Sequence, residues 1–186
     1  MKASDTWSAD ELLTHARGGE SSAFATLVRR YQRTVYSIAL RMLSDRHRAE
    51  DLAQEVFLQL YRAIDSIDSE THLTFWLRKV AVNRAIDRMR QESRHDSEPL
   101  TEAVAVADES SAGNDPLLHR RMAELVAQLP AAARAVVVLR YQEDLDPVDI
   151  ASTLDMPINT VKSHLKRSLT LLRARVQGTA IVEDIR

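Results

Sequence analysis

Apolar side chains recur every three or four positions along the first half of this chain, which is the spacing of an amphipathic α-helix. One such pattern runs over residues 24–43 and a second over residues 52–64, where Tyr61 falls on the apolar face with Leu60. The polar residues 65–71 predict a loop, and a third helix is expected over residues 73–91.

The periodic pattern stops at residues 92–116, which are rich in Ser, Ala, Glu and Asp and predict a flexible linker. It resumes over residues 118–129 and 131–141. The second of these segments contains three consecutive valines that would suit a strand, but its alanines favour a helix. The pattern predicts an all-α fold of two small helical domains joined by an acidic linker.

A helix-turn-helix motif is predicted near the C-terminus. Asp146 and Pro147 are typical of a helix start, and Asp155-Met156-Pro157 interrupts the chain before a second helix that Asn159 or Thr160 can cap. Asp155 stands where such a turn most often carries glycine, but Asp tolerates a left-handed backbone at modest cost. The outward positions of the second helix carry Asn159, Thr160, Lys162, Ser163, Lys166 and Arg167.

The charges of the chain are unevenly distributed. The net charge is −2, yet residues 76–90 carry five basic residues against one acid and residues 158–175 carry five basic residues and no acid. Residues 92–115 hold seven acids against one arginine. Because phosphates respond to the local potential, two basic patches separated by an acidic segment favour nucleic-acid binding despite the net charge.

Several classes of protein lack support in the sequence. There is no cysteine, no apolar run long enough to span a membrane and no secretory signal. The six histidines have no metal-ligand spacing, and no glycine-rich phosphate loop is present. We therefore expect a soluble cytoplasmic protein that is not an enzyme, with no catalytic residue, metal, cofactor, small-molecule substrate or membrane insertion.

Three stretches, in this order, resemble the extracytoplasmic-function (ECF) sigma factors of the bacterial sigma-70 family. They are AEDLAQEVFLQLYRAI (residues 49–64), FWLRKVAVNRAIDRMR (75–90) and DIASTLDMPINTVKSHLKRSLTLLR (149–173). The resemblance implies a sigma region 2 domain over residues 1–91, a linker over 92–116, a region 4 helix-turn-helix domain over 117–176 and a tail over 177–186. Its implied partners are core RNA polymerase (the β′ clamp helices and the β subunit), promoter DNA and an anti-sigma factor.

The first stretch resembles the region 2 helix that docks on the β′ clamp helices. Opposite its apolar face the sequence displays a set of acidic, amide and apolar side chains: Asp51, Gln54, Glu55, Leu58 and Gln59. These residues are the predicted polymerase-binding face, and an ordinary solvated helix face is the alternative. Leu58 favours the first interpretation, since an exposed leucine suits an apolar contact.

The second stretch is similar to the region 2 segment that melts and reads the minus-10 element. An aromatic ring beside cations and amides suits single-stranded DNA, and the predicted residues are Trp76, Lys79, Asn83, Arg84 and Arg88. Trp76 is equally compatible with a place in the core. The preceding residues 67–72 resemble the family's loop that captures a flipped base.

The third stretch resembles region 4, which reads the minus-35 element, so the outward residues from Asn159 to Arg167 are the predicted DNA contacts. A basic but purely structural helix is the alternative. His164 replaces a frequent arginine of the family, and Asp146-Pro147 replaces a more usual serine and non-proline. A helix-turn-helix regulator that binds DNA without polymerase remains the competing function. The linker also predicts that the two domains move independently in the free protein.

Overall fold

The computed structural model describes residues 6–95 and 116–183, and within these ranges every regular element is helical. Most of the predicted linker, residues 96–115, lies outside the described residues. The helices are α1 (Ala9–Arg17), α2 (Ser21–Leu43), α3 (Arg46–Ala63), α4 (Glu70–His95), α5 (Pro116–Ala127), α6 (Ala131–Tyr141), α7 (Pro147–Leu154) and α8 (Ile158–Glu183). A single 3-10 turn, Ile64–Ser66, connects α3 to the loop before α4.

Side-chain caps define where several of these helices begin. Ser8 and Glu11 form a capping box at α1, in which the Glu11 amide donates to Ser8 Oγ and the Ser8 amide donates to Glu11 Oε2 at 2.7 Å. Asp45 accepts from the Arg48 amide at the start of α3. The apolar pattern did not predict α1, although the Ser8-to-Glu11 spacing is a sequence signal for a helix start.

The first four helices surround a core of aliphatic side chains. α2 runs through its centre and packs against α1, α3 and α4, with Leu27 and Ile38 fully buried. The face of α3 that contains Leu52, Val56 and Leu60 is buried as predicted, but the placement of Tyr61 on that face is wrong, because its side chain is 64% exposed. Tyr61 instead makes an edge contact with the ring of Phe24.

The C-terminal helices contain the predicted helix-turn-helix. Asp146 Oδ1 accepts from the amides of Val148 and Asp149 at 2.8 and 2.9 Å and thereby fixes the start of α7. α7 ends at Asp155, whose backbone is left-handed (φ 49°), as expected of an Asp in the place of glycine. Asn159 lies inside the first turn of α8 rather than capping it. α8 then continues to Glu183, through most of the segment expected to be a tail.

The two halves of the chain pack against each other, which differs from the expectation of independent bodies. α6 contacts α2 and α4, and α7 contacts α4. Val136 and Leu139 of α6 and Ile150 of α7 belong to the same apolar cluster as the core of the first four helices. The apolar residues of α6 cover all sides of that helix. One face packs against α5 and α8, and another packs against the N-terminal half.

Candidate nucleic-acid and protein interfaces

The predicted polymerase-binding residues lie together on α3. Asp51, Gln54, Glu55 and Leu58 are exposed and Gln59 is partly buried. Leu58 is 60% exposed, which makes it one of the most exposed large apolar residues of the described chain. This helix therefore presents an acidic and amide surface with an apolar side chain in its middle.

An apolar groove of about 1000 Å³ adjoins that surface. It lies between α2 and α3, and Gln54 and Leu58 stand on its α3 side. Its remaining lining is mostly aromatic and aliphatic: Phe24, Val28, Tyr36, Ala53, Phe57 and Tyr61, with Gln32, Arg33 and Glu50 at the rim. The sequence indicated an apolar contact at Leu58 but not this groove, because the groove depends on how α2 and α3 cross.

Four of the five predicted minus-10 residues line a second, smaller groove, the minus-10 groove. A cavity of about 410 Å³ is lined by Trp76, Lys79, Val80, Asn83, Arg84 and Asp87 of α4 and by Gln59 of α3. Trp76 is partly buried against the main core while its other side faces this groove. The packing against the core confirms part of the core interpretation of Trp76, and its role in DNA binding stays a prediction. A half-buried indole beside two cations is suited to stacking on an unpaired base.

Arg88, the fifth predicted minus-10 residue, does not line this groove, and like Arg84 it is paired with a side chain of α3. Arg88 forms an ion pair with Glu55 at 2.8 Å, and Arg84 donates to Gln59 Oε1 at 3.1 Å. Glu55 and Gln59 thus belong at once to the predicted polymerase-binding face and to the surroundings of the predicted DNA-binding cations. The sequence placed these two faces on different helices and did not predict that they meet.

Lys79 of α4 pairs with the C-terminal half of the chain. Its Nζ lies 2.9 Å from Asp155 Oδ2, in the turn of the helix-turn-helix motif. The adjacent Arg78 lies 2.8 Å from Glu143 Oε2, and the Glu143 side chain is almost fully buried. Sequence reasoning missed both acidic partners, since nothing in the spacing of the chain reveals contacts between the two halves.

The loop before α4 is held from several sides. Ile67 is fully buried and anchors it, while Asp10 of α1 accepts from the Glu70 amide at 2.7 Å. The hydroxyl of Tyr31 donates to Glu70 Oε1 at 2.8 Å. Burial, followed by this bond to a carboxylate, raises the pKa of Tyr31 and keeps it protonated. The loop and the start of α4 are therefore tied to the core, to α1 and to α2.

Asp68 of this loop also bonds to a side chain in the first turn of α4. His72 Nδ1 lies 3.0 Å from Asp68 Oδ1. Hydrogen bonds from His72 and then Ser69 lower the pKa of Asp68. The resulting carboxylate lies exposed at the loop, where it can accept hydrogen bonds from an amino group.

All six predicted minus-35 residues are exposed on the first three turns of α8. Val161 is buried on the opposite side, as the pattern predicted. Ser163 Oγ donates to the carbonyl of Asn159. Its proton is therefore used within the helix, while its lone pairs can still accept hydrogen bonds. Lys162, Lys166 and Arg167 form a basic surface long enough to enter a DNA groove.

Two kinds of site are not found within residues 6–95 and 116–183. No group of three metal-ligating side chains comes together there. No helix in that part of the chain combines the length and apolar character that crossing a bilayer requires.

Comparison with known proteins assigns each half of the chain to a protein family. Residues 27–95 match the Sigma-70 region 2 family and residues 119–172 match the Sigma-70, region 4 family. The sequence is 29% identical over 178 residues to the ECF RNA polymerase sigma-E factor of Haemophilus influenzae, covering 89% of this chain and 94% of that protein. It is 30% identical over 177 residues to the ECF RNA polymerase sigma factor SigW of Bacillus subtilis, covering 89% of this chain and 95% of SigW. The chain belongs to the ECF RNA polymerase sigma factors.

Solved structures agree on the fold of this sigma factor. Its structure matches CnrH, solved in complex with the cytosolic domain of CnrY, with a TM-score of 0.66 and 22% identity over 92% of this chain and 99% of CnrH. It also matches the sigma factor RpoE of Bartonella quintana, solved with the anti-sigma factor NepR, with a TM-score of 0.69 and 21% identity over 83% of this chain and 96% of RpoE. The all-α architecture with region 2 and region 4 parts is thereby confirmed.

Proposed function

We propose that this sigma factor docks on core RNA polymerase through the exposed face of α3 and the apolar groove beside it. The observation that carries the proposal is the position of Leu58, exposed between that groove and the carboxylates of Asp51 and Glu55. An apolar groove with a charged rim has the composition of a specific protein interface. The expected partner surface is a helical element with apolar and basic side chains, as the β′ clamp helices would supply.

The groove around Trp76 is proposed to receive the melted minus-10 element. Unpaired DNA requires three interactions. This groove can supply them as stacking on the Trp76 indole, positive charge from Lys79 and Arg84, and hydrogen bonds from Asn83. The segment that contains Asp68 of the loop and His72 in the first turn of α4 precedes this groove along the chain, and it is proposed to hold a base flipped out of the stack.

The exposed side of α8 is proposed to read the minus-35 element in the major groove. Asn159 and the lysines reach base edges or phosphates, and the short α7 supports α8 as in other helix-turn-helix proteins. In this assignment region 2 extends over residues 1–91, region 4 over residues 117–176, and the acidic segment between them connects two DNA-binding parts. The protein then acts as an initiation factor in the cytoplasm and catalyses no reaction itself.

Control by an anti-sigma factor completes the proposal. One structural relative of this chain, RpoE, was solved with the anti-sigma factor NepR, and another, CnrH, was solved with the cytosolic domain of CnrY. In this chain the apolar groove and the minus-10 groove offer two open surfaces that an inhibitor can cover. A pull-down from extracts should recover a dedicated inhibitor in addition to polymerase; recovery of polymerase subunits alone, with and without induction, argues against one.

Transcription with purified components tests the main proposal. Core polymerase plus this sigma factor should produce discrete run-off transcripts from genomic fragments, and core polymerase alone should not. The competing function, a regulator that binds DNA by itself, requires tight sequence-specific binding without polymerase. A sequence-specific gel shift at physiological salt by the free chain, combined with no polymerase-dependent transcript, would favour that competing function.

Replacement of Lys166 by Ala should weaken binding to minus-35 duplex DNA and leave polymerase binding intact. Lys166 is exposed on α8, one turn beyond Lys162, and the proposed polymerase-binding residues lie on a different helix, α3. Loss of a base contact should cost about 1 to 3 kcal/mol and relax preference at one position, whereas loss of a phosphate contact should lower the salt slope by about one. Binding across a salt series measures this, and loss of polymerase binding by Lys166→Ala would show that the assignment is wrong.

A further inference from the structure

The first turn of α4 is bound by side chains of two other helices. The amide of Glu70 donates to Asp10 Oδ1 of α1 at 2.7 Å, and the Glu70 carboxylate accepts from the hydroxyl of Tyr31 on α2 at 2.8 Å. These contacts join residues that are 60 and 39 positions apart along the chain. At Glu70, α1 and α2 therefore both reach the base-capture segment, the residues 67–72 that are proposed to hold a flipped base.

The bond from Asp10 completes the start of α4. A helix begins with amides that have no partner within the helix. The first helical bond of α4 runs from the Leu73 amide to the Ser69 carbonyl, so the amides of the first turn need other acceptors. Ser69 Oγ accepts from the His72 amide at 3.3 Å, and Asp10 accepts from the Glu70 amide. Because Asp10 also lies in the first turn of α1, its negative charge stands at the positive ends of two helix dipoles.

The bond from Tyr31 comes out of the core. Tyr31 is only 8% exposed and packs within the main apolar cluster, so its hydroxyl has a fixed position. On the other side of Asp68 the chain is anchored by Ile67, which is fully buried. The exposed carboxylate of Asp68 therefore lies between two anchored positions, Ile67 and Glu70, and α1 packs against the 3-10 turn just before them.

A rigid segment matters for base capture. Flipping a base out of the stack costs free energy, and a binding segment that must first become ordered adds a further entropic cost. A segment already held in its binding shape avoids that second cost. The Sigma-70 region 2 family matches residues 27–95, so the helix that supplies Asp10 lies before the matched residues.

We propose that Asp10 and Tyr31 are positioning residues for base capture, which hold the base-capture segment in its binding shape through their bonds to Glu70. Neither residue needs to touch DNA. The proposal rests on the proposed role of residues 67–72 and adds to it two side chains from α1 and α2.

Abasic substitution in single-stranded DNA tests the proposal, with core polymerase and the full-length sigma factor as the binding complex. Each position of a minus-10 oligonucleotide, taken from a promoter found by run-off transcription, is made abasic in turn. The fold loss of affinity relative to the intact oligonucleotide is the abasic penalty of that position. The captured position is the one whose penalty disappears in Asp68→Ala. The positioning variants are Asp10→Ala and Tyr31→Phe, and each removes one bond to Glu70.

Both positioning variants should reduce the abasic penalty at the captured position by about three- to tenfold, the range expected for loss of one hydrogen bond. Penalties at all other positions should stay within about twofold of the parent's. Asp10→Asn keeps an oxygen acceptor and should restore most of the penalty. The matched control is Asp65→Ala, which removes an exposed carboxylate from the 3-10 turn before the segment and should behave as the parent does.

Amide hydrogen exchange of the free protein gives a readout that does not depend on DNA. Residues 67–73 should exchange about three- to tenfold faster in Asp10→Ala and Tyr31→Phe than in the parent, and the control should exchange at the parent's rate. Unchanged exchange in both positioning variants would overturn the proposal.

The DNA experiment separates this proposal from the proposed function. A full penalty at the captured position in both positioning variants overturns the positioning role alone. An equal fall of the penalty at every position also overturns it, since that result indicates a general loss of structure. If Asp68→Ala removes the penalty at no position, base capture by residues 67–72 is wrong, and the positioning role is overturned with it.

Discussion

Replacing Leu58 by Asp should weaken binding to core polymerase by about 30-fold or more. Leu58 is 60% exposed and stands between the apolar groove and the carboxylates of α3, at the centre of the proposed docking surface. Residues at such central positions contribute about 2 kcal/mol or more to protein–protein affinity. Because the side chain is exposed, the free energy of unfolding should change little. Titration of labelled core polymerase measures the affinity.

The matched control for this experiment is Leu58→Met, which keeps an apolar side chain of similar volume and should bind almost as the parent does. If Leu58→Asp binds polymerase with the parent's affinity, Leu58 of α3 is not part of the interface. An equal loss of polymerase affinity in Leu58→Asp and Leu58→Met would indicate a steric requirement instead of an apolar contact.

Replacing Trp76 by Ala should reduce affinity for single-stranded minus-10 DNA by about 1 to 3 kcal/mol, the usual contribution of one base stacked on an aromatic side chain. Binding to duplex minus-35 DNA should be unchanged, because the residues proposed for it lie on α8. Trp76 also packs partly against the core, so some stability is lost as well. Comparison at a temperature where both proteins remain folded separates the two effects.

Fluorescence provides a direct readout for the same residue. The chain has two tryptophans, and Trp7 stacks on His15 with ring centroids 3.9 Å apart, away from the groove. In a Trp7→Phe background the remaining signal belongs to Trp76 and should be quenched by a single-stranded oligonucleotide. Trp7→Phe itself should bind DNA like the parent. An unquenched Trp76, with DNA affinity retained in Trp76→Ala, would exclude stacking at this position.

Local chemistry made the helix-turn-helix predictable from sequence. Asp146 caps α7, Pro147 occupies its first turn and Asp155 takes the left-handed turn, and each role is set by residues only a few positions away. The outward positions of α8 followed from the burial of Val161 on the other side. The same reasoning placed Leu58 and its neighbours on the exposed face of α3, where the structure has them.

Contacts between distant segments could not be predicted in the same way. Periodicity assigns a residue to a face but does not indicate which element covers that face, so the packing of α6 on α2 was missed. Tyr61 was misplaced because it lies at the edge of the apolar stripe, where Phe24 lies close enough for an edge contact while the side chain remains mostly in solvent. Arg134 was not singled out, yet burial lowers its pKa to about 10 and the guanidinium still carries its charge at neutral pH.

The order along the chain of the residues in the Arg78–Glu143 and Lys79–Asp155 ion pairs has a consequence for synthesis. Arg78 and Lys79 precede Glu143 and Asp155 by more than 60 positions. At about 5 to 20 residues per second, the ribosome takes about 3 to 15 s to add that segment, and N-terminal parts of a protein generally fold first. During this interval the nascent chain carries both cations and the region 2 helices before either paired carboxylate exists, so these ion pairs between the two halves can form only after the region 2 helices have been made.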